Sequence, residues 1–152
     1  MGGYAGAATA DDQRPAAVPA RGGARSIARL IHAGLAVLFP VGLAVQIFLA
    51  GLGVFDGPQA FATHRDVGYM LQAVPFLLAI VGVIGRVPRR LTGLAILIFA
   101  LFFVQSILVS VRADAPSIAA LHPVNGFLIT ILALVLARDA WRGRQRAPGA
   151  AQ

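Results

Sequence analysis

The sequence contains no cysteine, no lysine and no glutamate. Without cysteine there can be no disulfide, no thiolate nucleophile, no iron–sulfur ligation and no covalent c-type haem attachment. Without glutamate the acids are 6 aspartates, none of them well inside an apolar run, so an enzyme built on a buried carboxylate is not expected. Charged residues make up 12% of the chain and hydrophobic ones 58%. Soluble domains carry about 25% charged residues, so this composition excludes an ordinary soluble domain and points to the lipid bilayer as the solvent. The net charge of +7 comes wholly from arginine. Those arginines sit in clusters at the ends of apolar runs, which makes them topology signals and excludes a nucleic-acid surface.

Four apolar runs are present, at about residues 31–54, 64–85, 91–111 and 118–137. Each is near the roughly 20 residues that cross the hydrocarbon core as a helix. Helices are the open-ended spans that satisfy their own backbone in lipid. The expected architecture is all-α: an integral membrane four-helix bundle made of two pseudo-symmetric helical hairpins, over residues 26–140. Residues 1–25 read as a disordered tail, rich in Gly, Ala, Pro and Arg, and 141–152 as a basic tail. The cluster Asp56-Gly57-Pro58 predicts a turn, and Asp114–Ser117 offers a cap for the fourth span. Pro40 and Pro75 fall inside spans, where kinks are tolerated because neighbours re-satisfy the backbone.

Arginine distribution predicts orientation. Arg14, Arg21, Arg25 and Arg29 precede the first span, Arg86, Arg89 and Arg90 separate the second from the third, and Arg138, Arg142, Arg144 and Arg146 follow the fourth. Arg65 and Arg112 alone lie on the other side. The positive-inside rule then puts both termini in the cytoplasm. Heavy use of Ala, Gly and Arg suggests a GC-rich bacterial genome, hence a bacterial plasma membrane.

The chain repeats itself. Val45–Gly68 reads VQIFLAGLGVFDGPQAFATHRDVG and Val104–Gly126 reads VQSILVSVRADAPSIAALHPVNG. Each copy opens on Val-Gln and closes on His-x-x-x-Gly, with 18 positions from Gln46 to His64 and 17 from Gln105 to His122. Two hairpins running in the same direction are related by a pseudo-twofold axis along the membrane normal. Such an axis brings His64 and His122 to similar depth on opposite sides of the centre, where a shared ligand would meet both. A haem iron with two imidazole ligands is the leading candidate. Gly68 and Gly126 sit one turn below the histidines and would leave space for a flat group; they would equally allow close helix packing. Gln46 and Gln105 lie within spans and need partners, either across helices or on a bound ligand. Arg65 and Arg112 could meet haem propionates, neutralise Asp56, Asp66 or Asp114, or hold lipid phosphate. His32 has no counterpart in the repeat and is expected at the cytoplasmic interface.

The pattern resembles one four-helix half of the heme A synthase family, whose halves carry a histidine at the outer end of the second and fourth helices. His64-Arg65 with Gly68 is similar to the motif that opens the second helix of such a half, and Gln105 with His122 is similar to its third and fourth helices. The resemblance implies a haem b held by His64 and His122. It does not carry over the family's haem oxidation: Phe61 stands where the family has an acid, and the paired cysteines and the second half are missing. Leu121–Gly126, LHPVNG, also resembles a segment of small uncharacterised bacterial four-helix membrane proteins. The function expected is electron transfer or haem handling, with the lipid bilayer as surroundings and other membrane subunits or a homodimer as partners. The rivals are a cofactor-free accessory subunit and a small transporter or quinone-site protein working through Gln46 and Gln105.

Overall fold

The computed structural model describes residues 21–145; the expected tails up to residue 20 and beyond 145 lie outside them. The described residues form α1 (Arg21–Phe55), α2 (Ala60–Ile84), α3 (Arg89–Ser110), the one-turn α4 (Pro116–Ala119) and α5 (His122–Gln145). Four helical segments are long and apolar enough to cross a membrane, the last of them comprising α4 and α5. The protein is a multi-pass, all-α membrane bundle. Each long helix packs on two neighbours in the cycle α1–α2–α3–α5. The diagonals are therefore α1 with α3 and α2 with α5, as a pseudo-twofold axis through the bundle requires. The α1–α2 and α3–α4 connections share one end of the bundle, the loop end. The α2–α3 turn and the outer ends of α1 and α5 form the other, the terminal end.

Packing follows spacings of three and four on every helix. The buried stripe is Ala36, Phe39 and Leu43 on α1, Pro75, Leu78 and Gly82 on α2, Leu91, Ala95, Ile98 and Phe102 on α3, and Asn125, Ile129, Ala133, Leu136 and Ala140 on α5. Such i, i+3, i+4 rows are what let helices interdigitate. Small residues recur where the helices come closest, and Ala36, Ala95 and Ala133 are completely buried. Between lipid-soaked helices this close approach supplies the dispersion contact that the hydrophobic effect does not. Phe39 and Phe102 fill the diagonal gap with ring centroids 6.2 Å apart. The opposite faces expose Leu38, Ile47, Phe48, Met70, Val83 and Phe127 to lipid.

Several boundaries differ from the sequence reading. α1 begins at Arg21 and α5 continues to Gln145, so both helices extend through stretches read as tail. Helical hydrogen bonding does not stop at the hydrocarbon edge, and long arginine side chains tolerate the interface. α2 starts at Ala60, which places His64 one turn inside the helix. The corresponding turn on the other hairpin is the separate α4, broken from α5 at Ala120 and Leu121. Pro123 explains the break: it has no N–H for the Ala119 carbonyl, and its ring crowds that carbonyl. The N-cap of α4 is Ala115, with no side-chain cap, so Asp114 does not serve as the expected cap. α1 and α2 remain helical through Pro40 and Pro75.

The terminal end is closed by polar contacts. The Arg29 side chain donates from Nε to the Gly85 carbonyl at 2.8 Å, joining α1 to α2. Arg90 meets Asp139 at 2.6 Å, joining α3 to α5, and Arg138 meets the same carboxylate at 3.0 Å within α5. The close contact at Ala133 yields a test. Ala133→Leu should overpack the axis and lower unfolding free energy by about 1–3 kcal/mol, read as a lower melting temperature in detergent, whereas Leu134→Ala on the lipid-exposed face should change it far less.

Candidate functional site

The inward stripes end, at the loop end, in the residues of the sequence repeat. Gln46 follows Leu43 by three on α1, and Gln105 follows Phe102 by three on α3. His64 and His122 each precede an inward residue, Leu71 and Ile129, by seven. The stripe that builds the core therefore also delivers all four polar side chains to the bundle interior.

Within the first hairpin Gln46 and His64 hold each other. Gln46 Nε2 donates to the His64 carbonyl at 2.6 Å, and His64 Nδ1 lies 3.0 Å from the Gln46 carbonyl. A carbonyl oxygen only accepts, so Nδ1 must carry the proton and Nε2 is left as the basic nitrogen. The second hairpin repeats the arrangement. Gln105 Nε2 donates to the His122 carbonyl at 3.0 Å, and His122 Nδ1 lies 3.5 Å from the Gln105 carbonyl. Gln105 Nε2 also approaches His122 Nε2 at 3.3 Å, a contact in which the amide donates to the same basic nitrogen.

This geometry explains the glycine of each His-x-x-x-Gly. In a helix the carbonyl of residue i points toward residue i+4. A side chain from a neighbouring helix reaches that carbonyl's second lone pair past the Cβ position of residue i+4. A Cβ at Gly68 would lie 2.7 Å from Gln46 Nε2, and one at Gly126 would lie 3.2 Å from Gln105 Nε2. The space beside each histidine is thus taken by a glutamine amide. The glutamines, for their part, are engaged with the histidines.

Across the axis the two imidazole rings meet in a T-shaped, edge-on arrangement, with centroids 6.1 Å apart and planes at 69°. Phe61, on the helical turn before His64, packs edge-on against it at 6.3 Å. The two hairpins are not identical. Asn125 is buried and donates to Gln105 Oε1 at 2.5 Å and to the Leu101 carbonyl at 2.9 Å. Val67 stands at the equivalent place in the first copy, and Gln46 Oε1 is buried without a hydrogen-bond partner. Asn125 escaped the sequence reading because it has no counterpart in the repeat, although it lies in the LHPVNG segment.

The remaining candidates are placed elsewhere. Arg65 pairs with its neighbour Asp66 at 3.0 Å in an exposed contact, a kind worth little. Arg112 donates to the Val109 carbonyl at 3.2 Å at the surface. His32, expected at an interface, is instead 2% exposed. It packs where α1, α2 and α3 converge: a Cβ on Gly82 would meet Thr92 Oγ1 at 2.9 Å and the His32 ring at 3.4 Å. Among the described residues no group of three or more His, Cys, Asp or Glu gathers to hold a metal ion.

The clasp geometry predicts unequal effects of two matched substitutions. Gly68→Ala should push the Gln46 amide off the His64 carbonyl and cost about 1 kcal/mol for the lost hydrogen bond. Gly126→Ala, with the wider 3.2 Å approach, should cost distinctly less. Thermal unfolding of the two variants in the same detergent checks the order.

In comparison with known proteins, residues 46–113 match a family of unknown function, DUF6220. The match begins at Gln46 and takes in His64, Gly68 and Gln105, but stops before His122, and it covers less than half of the chain. No curated protein and no solved structure matches the chain.

Proposed function

We propose that the protein is a small membrane cytochrome that holds one haem b between His64 and His122 and serves electron transfer or haem handling. The observation that carries this reading is that the two imidazoles, from opposite helices, lie with their centroids 6.1 Å apart inside the bundle. Imidazole nitrogens bind transition metals at about 2.0–2.1 Å, and two rings flanking one metal ion then have centroids about 6 Å apart. Ligand type agrees: two neutral imidazoles, no thiolate and no carboxylate. A haem held by His64 and His122 would supply a one-electron couple suited to electron transfer.

The chain's own residues do the positioning. Nδ1–H of each ring is directed at a backbone carbonyl, which sets the tautomer, limits ring rotation and raises the basicity of Nε2. Gln46 and Gln105 donate their side-chain amides in return to the His64 and His122 backbone carbonyls, and Gly68 and Gly126 admit them. On the second hairpin the Gln105 amide must swing away from His122 Nε2 before that nitrogen can ligate. In the same reading the arginine-rich terminal end is cytoplasmic, the membrane is a bacterial plasma membrane, and the histidine pair lies in the outer half of the bilayer.

A cofactor-free accessory subunit is the second reading, favoured by one observation: the clasps give the histidine Nδ1–H groups and the glutamine amide N–H groups partners within the protein, so the pair can be held without a ligand. The two readings separate in one experiment. Purified protein from haem-sufficient cells should show the sharp reduced bands of a six-coordinate b-type haem after dithionite. His64→Ala and His122→Ala should each abolish that low-spin spectrum while helicity by circular dichroism persists. A colourless preparation after haem supplementation would exclude the cytochrome and leave the accessory subunit.

A further inference from the structure

The terminal end holds a feature that neither the fold nor the histidine site accounts for. α2 ends at Gly85 with the hydrogen bonds of a Schellman motif: Arg86 N–H to the Val83 carbonyl at 3.1 Å and Val87 N–H to the Gly82 carbonyl at 2.9 Å. The residue at the turn of such a motif is in the left-handed region and is usually glycine. Here it is Arg86, at φ 50°, the one non-glycine residue with positive φ among those described. The motif offers its turn position to glycine at no steric cost, and this chain is rich in glycine, with 17 residues. An arginine at this position sets a long cation at the turn despite the backbone strain, which marks it as a candidate for a functional role.

Arg86 lies on a groove of about 560 Å³ between α2 and α3, lined also by Val83, Arg89, Thr92, Gly93 and Ile96. From Arg89 to Ile96 the groove follows α3 for about 10 Å, from the bundle end into the apolar zone. Its mouth has two exposed guanidinium groups, and its lower walls are Val83 and Ile96, 67% and 55% exposed. Space is open beside Gly93, where a Cβ would meet nothing within 4 Å. Among the described residues neither Arg86 nor Arg89 has an ion-pair partner, in contrast to Arg90, which Asp139 engages. The positive end of α3 begins at the same mouth.

We propose that this groove binds one anionic phospholipid, its phosphate between Arg86 and Arg89 and an acyl chain along Val83, Gly93 and Ile96. Charge selects the occupant: two unpaired cations at headgroup depth above an apolar slot fit a phosphate ester with a hydrocarbon tail. A peptide would leave its backbone unpaired against the apolar walls, and a zwitterionic lipid would set its ammonium group against the arginines.

The backbone at Arg86 makes the test clean, because Arg86→Gly removes the cation while relieving the turn. Full-length protein in detergent is presented with phosphatidylglycerol or phosphatidylcholine, and retained lipid is read by native mass spectrometry alongside the melting temperature. The wild type should prefer phosphatidylglycerol, and Arg86→Gly should lower that preference roughly fivefold with an unchanged or higher melting temperature. Adding Arg89→Gln should bring the two lipids level. Equal retention of both lipids by the wild type, or an undiminished preference in the double variant, would overturn the proposal. So would stabilisation by inorganic phosphate alone equal to that by the lipid, which would make this a plain anion site.

Discussion

In hydrocarbon every polar group has to find its partner inside the protein, because no water is there to take its place. Most of this chain meets the demand trivially, with helical backbones and apolar side chains. Among the exceptions are four side chains near the loop end, Gln46, His64, Gln105 and His122, and the structure around them is organised to pair most of their polar atoms. Gln46 and His64 exchange hydrogen bonds, and Gln105 and His122 do the same. Each exchange ties a helix to its hairpin partner at one fixed height and rotation. The core stripes below must then follow in register, which is why Leu43 and Phe102 lie three residues before the glutamines, on the same faces.

The clasps also set what the site can do. A histidine whose Nδ1–H is bound to a carbonyl keeps Nε2 basic and is held in orientation, the state in which imidazole ligates metals. The same bonds would hold two histidines in a protein with no ligand at all. The structural difference between the hairpins bears on this point. Asn125 completes the polar network of the second hairpin, whereas Gln46 Oε1 in the first is buried and unpartnered. A buried acceptor without a donor costs free energy, and its presence beside the more tightly clasped histidine marks the first hairpin as the less self-sufficient of the two.

At the opposite end the constraints are those of an interface. Arg29 on the Gly85 carbonyl and Arg90 on Asp139 close the two hairpins there, so each hairpin is pinned at both ends and packed in between. Arg86 and Arg89 are excluded from these closures. Their position at the mouth of an open apolar groove gives the terminal end a chemistry of its own, separate from that of the histidine pair.

Much of this architecture could be read in the chain itself. Scarce charge and four apolar runs determine a membrane bundle, and the repeat from Val45 and Val104 determines two hairpins in the same direction, hence facing histidines. These properties depend on composition and period, which are local. The meaning of the glycines was not local: only the packed helices reveal that Gly68 and Gly126 admit glutamine amides, because the contact joins residues on different helices. Burial of His32 depended likewise on three helices converging at Gly82. Helix ends were misjudged because hydropathy marks the hydrocarbon edge, while hydrogen bonding carries α1 back to Arg21 and α5 on to Gln145. The sequence by itself determined what must be buried and how often it recurs. Tertiary structure alone decided which buried polar group answers which, since that choice rests on distances of a few ångströms between helices far apart in the chain.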